Sequence, residues 1–284
     1  MTSKKIDRII NSIDALPALP TIYIKLSRLL NVQDPSIRMI SNIISEDQAV
    51  SAMVLKIVNS ALYGFYNKIG DLQRAIVILG LNEIKSLVLA TSMHKVIKQF
   101  KLNSEFDMQE FRKHSIGCAI SAKVLAETAC IKGPEDVFTG GLLHDIGKLI
   151  HAAYLSEEFE GVVANVVETG SQMLESEKKI LGFDHAQTGS ALAKKWGLPR
   201  KIINMIAHHH LSDTPDILNR EVAAVHIGNS LSIALRMGSG GENRVPIINQ
   251  KAWEILDLEL SDLEYIMQRS AKLFEESISN MEFE

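Results

Sequence analysis

Histidines and carboxylates recur along this chain at spacings that suit a divalent metal ion. Glu110 and His114 stand four apart in a helical stretch, so both project from one face about a turn apart. His144 and Asp145 are adjacent, with Lys148 three residues on. His185 follows Asp184 at a helix start, and His208, His209 and His210 close another helix. Imidazole nitrogens combined with carboxylate oxygens are what zinc, iron, manganese or nickel would take as ligands. Taken singly, each of these histidines reads as an ordinary capping or core residue, and His94 and His151, which fit no pattern, read as structural. The signal is their order: E-x-x-x-H, then H-D-x-G-K, then H-x-x-x-G, then H-H.

The elements that must carry these residues are helices. Apolar residues recur with helical period, and no alternating stretch makes a convincing strand. The spacing predicts helices over 21–30, 48–59, 72–79 and 82–97. Asp34-Pro35-Ser36 marks one further helix start, and Ala61-Leu62-Tyr63-Gly64-Phe65 a turn. A composition shift at Lys101-Leu102-Asn103-Ser104 divides the chain into an N-terminal helical subdomain, residues 1–103, and a second helical subdomain, residues 104–284, that carries the metal cleft. In the second, helices are expected over 108–129, 136–143, 156–168, 185–196, 202–208, 220–237, 251–256 and 261–281. A turn is expected at His144-Asp145-Ile146-Gly147 and a flexible loop at Gly238-Ser239-Gly240-Gly241.

The bulk properties narrow the function classes. With 284 residues, 46% of them hydrophobic and 23% charged, the chain can bury a substantial core as one large domain or two modest ones. A net charge of −4 argues against broad binding to nucleic acid, which needs a basic face. The opening residues hold no apolar run of signal-peptide length, and the most apolar stretch is interrupted by Gly80, Asn82 and Glu83, so no membrane span is expected. Cys118 and Cys130 lie about 18 Å apart if one helix carries both, beyond disulfide reach. They read as small core residues in a reducing cytoplasm.

Gly140-Gly141-Leu142-Leu143-His144-Asp145-Ile146-Gly147-Lys148 resembles the signature turn of the HD superfamily of metal-dependent phosphohydrolases. Within that superfamily the chain resembles the HDOD branch, whose members sit in bacterial signalling systems. The resemblance runs from about Leu16 to Ser232. Its more diagnostic part is Leu16-Pro17-Ala18-Leu19-Pro20, Ile44-Ser45-Glu46-Asp47-Gln48, Val58-Asn59-Ser60-Ala61-Leu62-Tyr63-Gly64 and Ala75-Ile76-Val77-Ile78-Leu79-Gly80. The resemblance implies an all-α, HD-domain-like bundle. It implies metal ligation by His114, His144 and Asp145, with Glu110, His185, His209 and His210 matching further ligands of the related HD-GYP phosphodiesterases. Lys148 matches a residue that contacts substrate phosphate, so Lys148 and Asp145 would be catalytic in an active member. His209-His210 is preferred to His208-His209 because Ile206 matches the apolar position before the family's pair.

Two departures weigh against hydrolysis. Asn229 stands where the superfamily has its last aspartate ligand, and Leu211-Ser212-Asp213-Thr214 follows the His pair in place of a glycine-tyrosine-proline segment. The expected function is therefore a regulatory module with a retained metal site and partners among other signalling proteins, since no receiver, kinase or cyclase signature accompanies it. A metal-dependent phosphodiesterase is the first alternative, and an iron-based redox or gas sensor the second. The oligomeric state is left open.

Overall fold

A computed structural model describes residues 6, 9–11, 20–30, 35–60, 63–99, 106–211, 219–242 and 244–280, and among these residues the chain is helical with no strand. The chain divides into two compact units. One comprises Pro17–Gln99 and Lys272–Glu284, the other Met1–Leu16 and Phe100–Ala271. The expected hinge at residues 101–104 lies outside the described residues.

The first unit contains α1 (Thr21–Leu30), α2 (Ile37–Ser45), α3 (Gln48–Val58), α4 (Leu72–Leu79) and α5 (Leu81–Gln99). Their N-termini sit where short polar residues can accept the first free backbone N–H groups. Ser36 caps α2 through Met39 N–H, Asp47 caps α3 through Ala49 and Val50, and Asp71 caps α4 through Arg74. Helices α1 and α3 both pack on α5. The shared core includes Leu26, Ile44, Val54, Val58, Ile84 and Val88, all fully buried. Each such side chain withdrawn from water contributes roughly 1.5–3 kcal/mol.

The second unit is built around α6 (Met108–Thr128), capped by Asp107 and buried along most of its length. It packs on α7 (Pro134–Leu143) and on α13 (Arg220–Ala234). Small residues permit the close approach. A Cβ on Gly141 of α7 would lie 2.8 Å from Ala119 Cα, and one on Gly228 of α13 would lie 2.8 Å from Ala122 N. Between α7 and α13 the chain forms α8 (Ile146–Tyr154), α9 (Ser156–Thr169), α10 (Met173–Ile180), α11 (His185–Lys195) and α12 (Arg200–His208). After α13 come α14 (Gln250–Leu256) and α15 (Leu260–Asn280), whose residues from Lys272 on belong to the first unit. Lys195 Nζ donates to Ile10 O at 2.7 Å, tying the N-terminal stretch to this unit.

Several expectations are corrected here. The turn at His144 is shorter than expected: helix α8 resumes at Ile146, because Ile146, Leu149 and Ile150 bury against the unit's core. Helix α10 is an addition, and its buried side, Met173, Leu174, Ser176 and Glu177, is half polar, so no apolar period announces it. Helix α13 stops at Ala234, with Arg236 at φ +54. Both cysteines are free, and while Cys118 is buried, Cys130 lies exposed just past the end of α6. Among the described residues, no helix is long and apolar enough to cross a membrane.

Candidate metal centre

The adjacent pair His144-Asp145 occupies the corner between α7 and α8, the one acting as C-cap and the other as N-cap. Two glycines set that corner against its neighbours. A Cβ on Gly147 would stand 2.0 Å from His185 O, and one on Gly140 would stand 2.6 Å from Met205 Sδ. The first contact brings the start of α11 onto the corner, and the second brings α12 there. His185 is the first residue of α11, placed by a capping box in which Asp184 accepts from Gln187 N–H while Gln187 accepts from Asp184 N–H. His209 and His210 follow the last turn of α12, and His114 reaches in from α6.

These side chains converge on Asp145. Its Oδ2 lies 3.2 Å from His144 Nε2, 3.4 Å from His114 Nε2 and 2.7 Å from Lys148 Nζ. Its Oδ1 lies 3.1 Å from His185 Nε2 and 3.6 Å from His209 Nε2. The ring nitrogens also face one another: His114 and His144 through Nε2 atoms 3.3 Å apart, His185 and His209 likewise at 3.3 Å, and His210 and His185 at 2.8 Å. Among the described residues there are thus two sets of possible ligands, His114, His144 and Asp145, and Asp145, His185, His209 and His210, with Asp145 common to both.

The hydrogen bonds on the far side of each ring show what these nitrogens are for. His144 Nδ1 donates to Gly141 O at 2.7 Å, and His209 Nδ1 to Ile206 O at 2.8 Å. His185 Nδ1 donates to Glu177 Oε2 at 2.6 Å. Ser232 Oγ donates to Asn229 O at 2.8 Å, which leaves its oxygen to accept from His114 Nδ1 at 3.2 Å. A carbonyl or carboxylate can only accept, so each neutral ring holds its proton on Nδ1 and turns a bare Nε2 inward. With all four rings neutral, four inward lone pairs would face the ionised, buried Asp145 carboxylate, an arrangement that needs positive charge among them. The donor set therefore fits a divalent metal.

The electrostatics of the cluster without a metal point the same way. Burial opposes the charged form of His144, yet the Asp145 carboxylate holds its pKa up at about 10. Burial likewise opposes a charged His185, and Glu177 and Asp145 hold it at about 10. Burial dominates at His114 and His209, which fall to about 4 and about 3. Burial works against an ionised Asp145 too, but His144, Lys148 and His185 keep its pKa well below the usual carboxylate range. Protons on two of the imidazoles thus supply the positive charge that a metal would replace.

Glu110 is not brought into the cluster. Its carboxylate is part-exposed and paired with Lys113 Nζ at 2.6 Å. His208 is only partly buried and takes no part in either set of ligands. Asn229 is buried on α13 and its Oδ1 has no partner, one turn from the Ser232 that orients His114. Lys148 is fully buried, bonded to Asp145 Oδ2 and to Gly240 O at 3.0 Å.

Sequence reasoning missed the supports behind the candidate ligands. Glu177 Oε2 also accepts from His185 N–H at 2.9 Å, and Glu177 Oε1 pairs with His151 Nδ1 at 3.0 Å, whose Nε2 meets Thr188 Oγ1 at 2.9 Å. His151, which fits no pattern in the sequence, is buried with both nitrogens hydrogen-bonded, and it holds Glu177, the partner of His185. His226 Nδ1 donates to His209 O at 2.8 Å and its Nε2 accepts from Asn249 N–H at 3.0 Å, so it braces the His pair with both nitrogens occupied. Only Glu177, eight residues before His185, offered any signal, and a glutamate in a polar stretch is unremarkable.

Comparison with known proteins places this arrangement. A structure of an HDOD domain protein from Geobacter sulfurreducens is 26% identical, with a TM-score of 0.79 over 96% of this chain and 98% of that one. A candidate phosphohydrolase from Shewanella amazonensis SB2B shares the fold, with a TM-score of 0.72 at 22% identity over 94% of this chain and 97% of that one. An uncharacterised protein of Treponema pallidum (strain Nichols) is 26% identical over 230 residues, 80% of this chain and 44% of that protein. The chain spans less than half the length of the curated relatives it matches. The class is thus an all-helical, HD-type domain. The HDOD family model matches residues 16–212, and the chain belongs to the HDOD family.

Proposed function

We propose that this chain is a regulatory HDOD module of bacterial signalling, acting in the cytoplasm, whose Asp145-centred cluster holds one or two divalent metal ions. The observation that carries the reading is the position of Asp145, with one oxygen toward each set of inward-facing imidazoles. His114 and His144 would hold an ion on one side, and His185, His209 and His210 on the other. When bound, such an ion supplies positive charge and Lewis acidity.

The site is poor in carboxylates for hydrolysis. Asp145 is the carboxylate of both ligand sets, Glu110 is paired with Lys113, and Asn229 is a neutral amide. Lys148, the residue for a substrate phosphate, is engaged by Asp145 and by the chain's own carbonyl. These features support a site that retains metal and signals through partner proteins. A metal-dependent phosphohydrolase is the second reading, favoured by the ammonium of Lys148 standing 2.7 Å from Asp145 at the edge of the cluster. Metal analysis of purified protein, paired with a generic phosphodiester assay, separates the two. Bound zinc, iron, manganese or nickel with negligible turnover is expected; robust metal-dependent turnover would establish the phosphohydrolase instead.

A further inference from the structure

Segment 238–242, between α13 and α14, lies directly across the cluster. Its entry is anchored where Met237 fills a notch opened by Gly117, at which a Cβ would stand 2.5 Å from Met237 Cβ. Ser239 N–H then donates to Glu110 O at 3.0 Å. Gly240 passes so close to the ligands that a Cβ there would meet Asp145 Oδ2 and His114 Cδ2, each at 2.9 Å. At the far end, Glu242 Oε2 accepts from Met173 N–H at 3.2 Å. Gly241 has φ +89, a left-handed conformation that favours glycine, and a Cβ there would stand 2.5 Å from Met173 Cε.

Between these anchors the segment supplies the rest of the Lys148 environment. Gly240 O accepts from Lys148 Nζ at 3.0 Å, and Glu242 Oε1 lies 3.8 Å from it. An ammonium has three donors. One meets Asp145 and one meets Gly240 O, while the Glu242 carboxylate faces the ammonium at ion-pair distance; a carbonyl and a carboxylate oxygen are the kind of groups an incoming oxyanion would replace. Lys148 is only 1% exposed, so an anion can reach its ammonium only if a covering segment moves, and the 238–242 strap is a covering segment that bonds it directly.

We propose that segment 238–242 is a gate in which Gly240 and Glu242 stand in for an oxyanion on Lys148, and that a phosphate-class anion opens the gate by displacing them. The proposal rests on the metal-centre reading, since it makes the anion the input that the regulatory module detects. Free phosphate and the phosphate group of a nucleotide share this chemistry, so both are tested as probes.

The experiment is calorimetric titration of inorganic phosphate, and separately of a nucleoside monophosphate, into wild-type protein and Glu242→Gln. Amide hydrogen exchange across residues 238–242 is followed in the same samples. Glu242→Gln keeps an oxygen for Met173 N–H while removing the like charge next to the incoming anion. It is expected to bind at least one probe about tenfold more tightly than wild type. The probe that gains more identifies the source. Anion binding to wild type is expected to speed exchange at Gly240 and Gly241. Glu242→Ala is expected to bind at least as tightly, and serves if the glutamine folds poorly. Equal affinities in wild type and variants, or strap exchange that the anion leaves unchanged, would overturn the gate. Metal content of the same samples keeps the two readings apart: metal-free protein defeats the metal centre, whereas metal-loaded protein with equal anion affinities defeats only the gate.

Discussion

Glu177 grips His185 twice, accepting from its ring Nδ1 at 2.6 Å and from its backbone N–H at 2.9 Å. This keeps one ring proton on Nδ1 and turns Nε2 toward Asp145. Burial works against the Glu177 carboxylate, but His185 and His151 keep its pKa far below the usual range. Glu177→Gln preserves the shape and removes the charge, so metal affinity is expected to fall about 10- to 100-fold, as for other partners of ligating histidines. Competition against a calibrated chelator measures this. Unchanged affinity would show that His185 is not a ligand oriented by Glu177.

The raised pKa values of His144 and His185, both about 10, give metal binding a definite pH dependence. A metal must displace these protons, so affinity is expected to rise between pH 6.5 and 8.5 by about one to two decades per pH unit. The metal-free fold behaves in the opposite sense. A folded-state pKa above the unfolded value of 6.5 contributes stability that is complete below pH 6.5 and lost as pH rises through about 10. Chelator-treated protein is therefore expected to melt at a lower temperature at pH 9.5 than at pH 7, with metal-loaded protein losing less. A metal affinity independent of pH would mean that His144 and His185 do not carry these protons.

Asn229 is a buried amide with an unpartnered Oδ1, one turn from Ser232 behind His114. Asn229→Asp adds an anion to a cluster whose shared carboxylate is Asp145, and metal affinity is expected to rise. Turnover of a generic phosphodiester is expected to stay low or become detectable only in this variant. Identical affinities in the two proteins would place Asn229 outside the metal environment.

Much of the fold was legible because caps and apolar period agree. Ser36, Asp47 and Asp71 begin helices where short polar residues precede an apolar repeat, and helices α1 and α4 have the bounds their spacing predicts. Helix α10 escaped because two of its four buried residues are polar, and Glu177 is buried for its bonds to His185 and His151 rather than for hydrophobicity. At the centre, the motif order named Asp145, the five histidines that gather on it, and its neighbour Lys148. It also named Glu110, whose helical spacing from His114 puts the two on one face but does not decide whether the carboxylate turns inward or toward Lys113. The strap over Lys148 was visible as a glycine-rich loop. Its closeness to the cluster depends on the Gly117 and Gly240 contacts between segments far apart in the chain, which no local pattern encodes.

The most direct test of the metal centre is the metal content of wild-type protein beside that of Asp145→Asn. Asparagine fits the same space but replaces the anionic oxygens between the two imidazole sets with an amide. It also deprives buried Lys148 of its counter-charge, an effect of about 3–5 kcal/mol on stability, so folding is confirmed by circular dichroism before metal is counted. His144→Ala, which leaves Asp145 and Lys148 paired, serves as the companion variant. Elemental analysis is expected to find one or two metal ions per chain in the wild type and none retained by the folded variants. Wild-type protein that takes up no divalent metal, or folded variants that hold as much as wild type, would contradict the account.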